Sequence, residues 1–418
     1  MRGPFEMSAK SRSPSEEIEL RGHIIDSWVL PRVFDSVMDL GGEFEVLDIR
    51  VGKKKDETSY ARLRVTAPSA VQLSEIVTQL QELGAEVVGG KDVETKPAPR
   101  DGALPPDFYS TSNLPTEVRL AGKWTAVEGT EMDVAVVVDR KRGRAATRPM
   151  VHVKKGDPIA VGYEGIRVLP IPRARESEVF SFMNSAVSSE KPKKLVIQEI
   201  AREMRAIHAR GGRILVVAGP AIVHSGAGGY LAQMIRDGHV DVLFGGNAVA
   251  AHDVESALFG TSLGVNLESG LPAEGGHRNH MRAINVVRTA GSLAAVVEEG
   301  TLTKGIVFEA IRRGIPMVLA GSIRDDGPLP DVITDVLVAQ DRMRAALPGV
   351  EMAVMVCTML HSIATGNILP ASVKTVAVDI NPAVVTKLAD RGSWQAVGLV
   401  TDAELFLREL ASALGGAA

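Results

Sequence analysis

Apolar and polar positions repeat with two different periods along the chain, and the order of those periods divides it. Over residues 59–66, Ala61, Leu63 and Val65 alternate with Arg62, Arg64 and Thr66, the two-residue repeat of a strand with one wet face. A second strand over 44–51 precedes it across a polar turn at 53–57, so the pair reads as a hairpin. Before the hairpin, Val33, Phe34, Val37 and Leu40 recur at helical spacing within 31–40 until Gly41 and Gly42 stop the helix. After it, Leu73, Ile76, Val77, Leu80 and Leu83 form one apolar stripe behind Ser69 and Gln72, which stand at capping-box spacing. Strands over 18–25 and 85–88 complete the order β-α-β-β-α-β. Residues 18–90 are therefore expected to form a ferredoxin-like split βαβ module, a four-stranded sheet with two helices on one face. The polar residues 1–17 lack the apolar core of a signal peptide and read as a flexible tail.

Residues 91–116, rich in Pro, Asp and Ser, read as a linker, and 117–175 as a small β module with strands over 134–138, 149–153, 158–161 and 166–169. Its Arg140-Lys141-Arg142-Gly143-Arg144 loop is basic as hairpin turns commonly are, and no chemistry is assigned to it. The pattern changes over 176–418. A helix bearing Ile197, Ile200, Met204 and Ile207 is followed by short, nearly all-apolar strands over 213–218, 240–244, 315–320, 352–357, 373–379 and 396–400, separated by helix-length segments. Such strands belong to a parallel sheet buried on both faces. The fold class is α/β, with the last and largest domain Rossmann-like.

Composition narrows the function. With 47 Lys plus Arg against 51 Asp plus Glu, the net charge is −4, which gives no global attraction for nucleic acid or anionic lipid. No apolar run approaches the roughly 18 residues needed to span a bilayer. The partner is expected to be a small molecule. The lone Cys357 excludes an intramolecular disulfide framework and fits a cytoplasmic setting, with a structural thiol.

In parallel sheets, ligands sit beyond the carboxyl ends of the strands. After strand 213–218 comes the glycine-rich run from Gly219 to Gly229, which turns the strand into a helix or brings backbone N–H groups to a ligand. Asn247, after Gly245 and Gly246, can cap the next helix and offer its amide. The loop after strand 315–320 holds Arg324, Asp325 and Asp326 between Gly321 and Pro328, a set able to orient a ligand and carry protons. His277 and His280 stand three apart, but no third metal ligand is evident nearby and no metal is expected; with Asn279 and Arg282 they fit a polar cleft. Lys304 is a candidate active-site amine. The most informative stretch runs from the strand ending at Cys357, through Thr358, Met359, Leu360, His361 and Ser362, to Asp379, 22 positions beyond Cys357. A pyrophosphate on the helix N-terminus and a carboxylate for the ribose hydroxyls would fit this spacing, with NAD favoured over NADP by like-charge repulsion. Asn381, before Pro382, is the better cap for the following helix, which leaves Asp379 available.

Taken together, Gly22-His23-Ile24-Ile25-Asp26-Ser27, Phe244-Gly245-Gly246-Asn247-Ala248, Gly276-His277-Arg278-Asn279-His280, the run from Leu319 to Pro330, and Met359-Leu360-His361-Ser362 resemble the archaeal-type ornithine cyclodeaminase family. That family carries an amino-terminal module labelled for lysine-oxoglutarate reductase/saccharopine dehydrogenase. The chain is also similar to the carboxy-terminal half of the cyanobacterial bifunctional arginine dihydrolase/ornithine cyclodeaminase; the arginine-hydrolysing module has no counterpart in these residues, and that activity is not expected of them. The resemblance implies an ammonia-lyase that converts L-ornithine to L-proline and ammonia with bound NAD. It implies NAD contacts at Asn247, Ala248, Thr358, Met359, Leu360, His361 and Asp379, with Asp325 on the nicotinamide side and Asp402 a further candidate. Asp325 or Asp326 would take the proton of the δ-amine, Arg324, Asn279 or His280 would hold the carboxylate, and Lys304 and His280 complete the catalytic candidates. Two other readings stand beside it: an enzyme acting on another amine, given a likeness of the Rossmann-like half to deoxyhypusine synthase, and a sensor that binds NAD and an amino acid without turnover. An open sheet edge in the first module points to a homo-oligomer.

Overall fold

The computed structural model describes residues 13–25, 28–53, 57–169, 193–267, 271, 278–325, 327–391 and 396–415. The chain divides into two compact units, 1–173 and 174–418.

In the first unit, β1 (Ser15–Gly22), β2 (Glu43–Arg50), β3 (Ser59–Thr66) and β4 (Glu86–Val87) form an antiparallel sheet in the order β2-β3-β1-β4. That is the split βαβ arrangement. The alternation on β3 sets the two faces: Ala61, Leu63 and Val65 are fully buried against Val33 and Val37 of the helix Val29–Asp39 and Ile76, Val77 and Leu80 of the helix Ala70–Glu82. On the wet face Glu17 takes Arg62 at 2.6 Å and Arg64 at 2.9 Å, which holds its carboxyl below the usual range. Ser15, Glu16 and Glu17 thus lie in β1, although 1–17 was expected to be a tail. Ser15 and Glu17 belong to the outward face of the strand, and Glu16, on the other face, accepts the Tyr163 hydroxyl at 3.1 Å; residues 1–12 lie outside the described residues. Only half of the expected capping box forms: Ser69 Oγ accepts from the Gln72 N–H at 3.2 Å, while the Gln72 amide donates to the Leu40 carbonyl.

The seven strands β5 (Glu94–Pro97), β6 (Thr116–Leu120), β7 (Lys123–Glu128), β8 (Ala135–Asp139), β9 (Arg144–Arg148), β10 (Pro158–Val161) and β11 (Ile166–Val168) form a second sheet, in the order β11-β6-β7-β9-β8-β10-β5. Residues 91–116 are not a linker. They supply β5, which pairs with β10, and the buried Val93, Ala98, Tyr109 and Leu114; their Pro and Asp residues mark turns within the module. The strand expected over 149–153 is instead a short 3-10 turn, Met150–His152, entered through Pro149. The basic loop is the β8–β9 turn, in which Asp139 Oδ1 accepts the Lys141 and Arg142 N–H groups at 3.1 Å each. Gln81 ties the two sheets: buried at 1% exposure, its amide donates to the carbonyls of Tyr163 (3.0 Å) and Ile166 (2.7 Å).

The second unit contains a six-stranded parallel sheet of β12 (Arg213–Ala218), β13 (Val242–Gly246), β16 (Met317–Ala320), β17 (Val350–Val356), β18 (Lys374–Asp379) and β19 (Ala396–Val400); β14 (Thr261–Ser262) and β15 (Val265–Asn266) form a small hairpin. The order β16-β13-β12-β17-β18-β19 is that of a dinucleotide-binding Rossmann sheet. Both faces are covered, which explains the unbroken apolar runs. Ile214, Val216, Met352 and Val354 pack with Ile200, Met204, Phe406 and Leu410 on one face, and Leu215, Val217, Ala353 and Met355 with Met343 and Ile368 on the other. Each fully buried side chain of this size contributes about 1.5–3 kcal/mol, so packing and not helix propensity holds these helices in place. No helix among the described residues is long and apolar enough to cross a membrane.

Replacing Gln81 by Leu should leave the buried Ile166 carbonyl without a donor, and the Tyr163 carbonyl with only the Ile166 N–H at 3.4 Å, and lower the unfolding free energy by about 2 kcal/mol. An unchanged denaturant midpoint would show that the amide does not couple the two sheets.

Candidate functional site

The strand order reverses between β12 and β17, so a crevice opens where their carboxyl ends part. Gly219 and Cys357 follow these two strands. A Cβ on Gly219 would lie 1.9 Å from the Cys357 carbonyl oxygen, so only glycine fits there. Cys357 itself takes a left-handed conformation (φ 53°), rare for a residue with a side chain, and turns the chain sharply from β17 into the helix Met359–Ile368. That helix starts at Thr358 with no side-chain cap, so its first N–H groups face the crevice without a side-chain acceptor, the arrangement that suits an anionic group.

His361 knits three strand ends together. Its Nε2 lies 3.3 Å from the Ala320 carbonyl after β16, its Nδ1 3.4 Å from Thr358 Oγ1, and its ring occupies the space that a Cβ on Gly246 would need. Asn247 does not cap its helix: it is the first residue of Asn247–Phe259, with Gly246 at the cap position. Buried at 5% exposure, its Oδ1 accepts the Leu329 N–H at 3.0 Å, which fixes the 321–330 loop over β13. Within that loop Asp325 folds back on Ser322, accepting its N–H at 2.7 Å, and Arg324 is exposed. Asp326 and His277 lie outside the described residues.

On the other side of the crevice, Asp379 ends β18 and accepts the Asn381 N–H through Oδ1 at 2.8 Å; its Oδ2 has no hydrogen bond among the described residues. Asn381 Oδ1 in turn accepts the Ala383 N–H, so Asn381 takes the capping role and Asp379 does not. Asp402 is committed to the next helix, accepting from Glu404 (2.8 Å) and Leu405 (3.2 Å). Burial, together with the nearby Asp379 and Asp402 carboxylates, pushes the Cys357 thiol up to about 12.

Two groups of polar residues sit elsewhere in the unit. Lys304 is exposed and lines a cavity of about 290 Å³ with Gly228, Gly229, Arg236, Asp253 and Glu309; none of the residues at the crevice lines it. Asp253, fully buried, accepts the Ile306 and Val307 N–H groups at 2.9 and 2.8 Å, and burial raises its carboxyl to about 6 against these two bonds. The second group joins His280 and Asn279 to residues that sequence reasoning missed: His224, His252 and Glu255. The His252 ring stands 4.7 Å from each of the His224 and His280 rings. His252 Nδ1 pairs with Glu255 Oε2 at 2.9 Å, and Asn279 Nδ2 donates to Thr261 Oγ1, which donates to Glu255 Oε1. The Asn279 amide is therefore engaged within the fold. The partners that His280 appeared to lack come from the helix Asn247–Phe259; His252 and Glu255, three apart and nearly all buried, were the available signal. His252, Glu255 and His280 offer ligand atoms within 4.8 Å of one another, close enough to raise the question of a metal. Four donors already occupy the Glu255 oxygens: His252 and Leu263 on Oε2, Thr261 and Gly264 on Oε1.

Residues 198–410 match the family model described as arginine dihydrolase ArgZ-like, C-terminal, Rossmann fold; residues 15–114 match the LOR/SDH bifunctional enzyme conserved region, and 115–197 the first region of the ArgZ-like C-terminal part. The chain is 53% identical over 394 residues to the ornithine cyclodeaminase of Methanothermobacter thermautotrophicus, covering 94% of this chain and 96% of that protein. The apo crystal structure of ArgZ, an arginine dihydrolase from the ornithine-ammonia cycle in cyanobacteria, is similar with a TM-score of 0.87 at 40% identity, over 98% of this chain and 59% of that one. AgrE, solved as a ternary complex with ornithine and NAD⁺, is 42% identical with a TM-score of 0.53, over 99% of this chain and 59% of that one. From the tripartite match of its sequence, and from a relative aligned along nearly its entire length, the chain belongs to the archaeal-type ornithine cyclodeaminase family.

Proposed function

We propose that this chain converts L-ornithine to L-proline and ammonia, acting as an NAD-dependent ammonia-lyase. The observation that carries the reading is the crevice at the strand-order reversal, where Gly219, the open N-terminus of the helix Met359–Ile368 and the Asp379 carboxylate stand in line across β12, β17 and β18. These residues fit a dinucleotide. Gly219 lets the ends of β12 and β17 close up beside the start of the helix Met359–Ile368, and the uncapped N–H groups of that helix favour the charge of a pyrophosphate. The Asp379 carboxylate suits ribose hydroxyls and repels a 2′-phosphate, hence NAD.

Bound there, NAD supplies a hydride acceptor and then a hydride donor at one carbon, so a reaction with no net redox change can proceed through a transient oxidation. The chain's own residues do the rest. Asn247, Ala248, Thr358, Met359, Leu360 and His361 would line the cofactor, Asp379 would hold one ribose, and Asp402 fixes the backbone beside it through the Glu404 and Leu405 N–H groups. The loop with Arg324 and Asp325, pinned by Asn247 to Leu329, closes the β13 and β16 side, where Arg324 meets the substrate carboxylate. Lys304 lines the other cavity and has no part in this arrangement. A homo-oligomer belongs to the same proposal: β2 is an open sheet edge of eight residues with Val46 and Ile49 exposed, a surface that a second copy would cover.

Purified protein given ornithine should form proline and ammonia in equal amounts without added NADH; bound NAD with no proline would leave a sensor. Asp379→Ala should weaken NAD retention about 10-fold or more, the loss of a charge-assisted hydrogen bond, and titration of the nucleotide measures it. Gly219→Ala should abolish NAD binding, because its methyl group meets the Cys357 carbonyl; a variant that binds normally would place the nucleotide elsewhere.

A further inference from the structure

The histidine row surrounds a buried charge. Glu255 is completely buried. Burial works to raise its carboxyl, but His252, Thr261 and the Gly264 N–H outweigh it and keep it below the ordinary glutamate range. A carboxylate placed so deep must be matched by donors, and every donor around it is fixed by the hairpin of β14 and β15 or by the same helix. One of them is an imidazole. With the Glu255 carboxylate accepting from Nδ1, Nε2 is the nitrogen of His252 left to exchange a proton with a substrate, and it takes no partner among the described residues.

Among the described residues, the titratable groups facing His252 are Glu255 on its own helix, His224 from the helix Ala221–His224 and His280 from the helix Asn279–Ala290. Burial, and then repulsion from His252 when it is protonated, lower both flanking histidines, more than Glu255 restores, so both are harder to protonate than a free imidazole. His280 Nδ1 is buried without a partner. His224 stands five residues after Gly219, and His252 one helical turn beyond Ala248 on the same face. The row therefore lies on the β12 and β13 side of the crevice. That is the side opposite Asp379, where the reacting end of a dinucleotide held at β18 would lie.

We propose that His252, oriented by Glu255, is the base that moves protons between the two nitrogens of the diamino acid, with Glu255 as a positioning residue. The inference rests on the ornithine reading. Ornithine arrives with both nitrogens as ammonium groups, and each must expose a lone pair: the α-nitrogen for the Cα–H bond to give up hydride, the δ-nitrogen to attack Cα. A bond forms from Cα to the δ-nitrogen and the bond to the α-nitrogen breaks; the hydride lost from Cα returns to the same carbon of the ring. Cationic ornithine then yields zwitterionic proline and ammonium with no net proton change. Every proton the base takes is handed back, to the departing nitrogen and to the ring nitrogen. A metal at this cluster would have to displace the four donors on Glu255.

His252→Asn should lower kcat about 10²- to 10⁴-fold, the range for a lost general base, while NAD affinity measured by titration stays within about twofold. Glu255→Gln removes the charge that stabilises imidazolium, so the acidic limb of the kcat/KM profile should move to lower pH as the rate falls. Because both residues are buried, ¹⁵N-histidine spectra of the unaltered, NAD-loaded protein give a second test: the His252 Nε2 resonance should be that of an unprotonated nitrogen and should shift when ornithine is added. An active His252→Asn variant, an unmoved limb in folded Glu255→Gln, an Nε2 resonance indifferent to ornithine, or stoichiometric zinc in the purified protein would each overturn the proposal. Unaltered protein that makes no proline would instead remove the ornithine reading beneath it, a result that the variants alone cannot produce.

Discussion

The approach of Gly219 to the Cys357 carbonyl is the constraint on which the second unit depends. Two parallel strands that lie side by side, and whose connections leave in opposite directions, must part at their carboxyl ends. Here they part around a residue without a side chain on one strand and a left-handed turn on the other. The glycine lets the backbones touch, and the turn sends the next helix away with its first N–H groups aimed into the gap. The rest of the crevice is fastened to this pivot through His361, which reaches Thr358, Gly246 and Ala320, and through Asn247, which reaches Leu329.

Two buried carboxylates, Asp253 and Glu255, are met by donors set by a helix start or a tight turn: Asp253 by two N–H groups that open the helix Ile306–Arg313, Glu255 by two N–H groups of a hairpin and two side chains. The two differ in outcome because the donors differ. Asp253 has only its two backbone bonds and its carboxyl rises to about 6, whereas Glu255 also has an imidazole and stays low. Desolvation is common to both, and hydrogen bonding to the charged form decides.

Much of this was legible in the sequence, and the reason is periodicity. The alternation of β3 set its register and face, and the all-apolar runs at 213–218 and 396–400 coincide with β12 and β19. What failed was local composition taken as structure. Pro and Asp at 91–116 looked like a linker but mark the turns between strands, and the β6 and β7 strands were hidden by the charged Glu117, Arg119, Lys123 and Glu128 set among their apolar residues. Around the crevice, positions that closely follow or end their own strand were visible, as with Thr358 after β17 and Asp379 at the end of β18. The histidine row was not, because His224, His252 and His280 come from three helices and meet only in the folded unit. His252 reads as an ordinary helix residue until His280, 28 positions on, is seen stacked on it.

The lone sulfhydryl of the chain sits at the pivot itself. Oxidants and alkylating reagents act on thiolate, and a group that gives up its proton only near 12 presents almost none in any compartment where proteins work. The pivot between the two halves of the sheet therefore carries a sulfur that burial and two neighbouring carboxylates hold as the neutral thiol, the form that oxidants and electrophiles attack least.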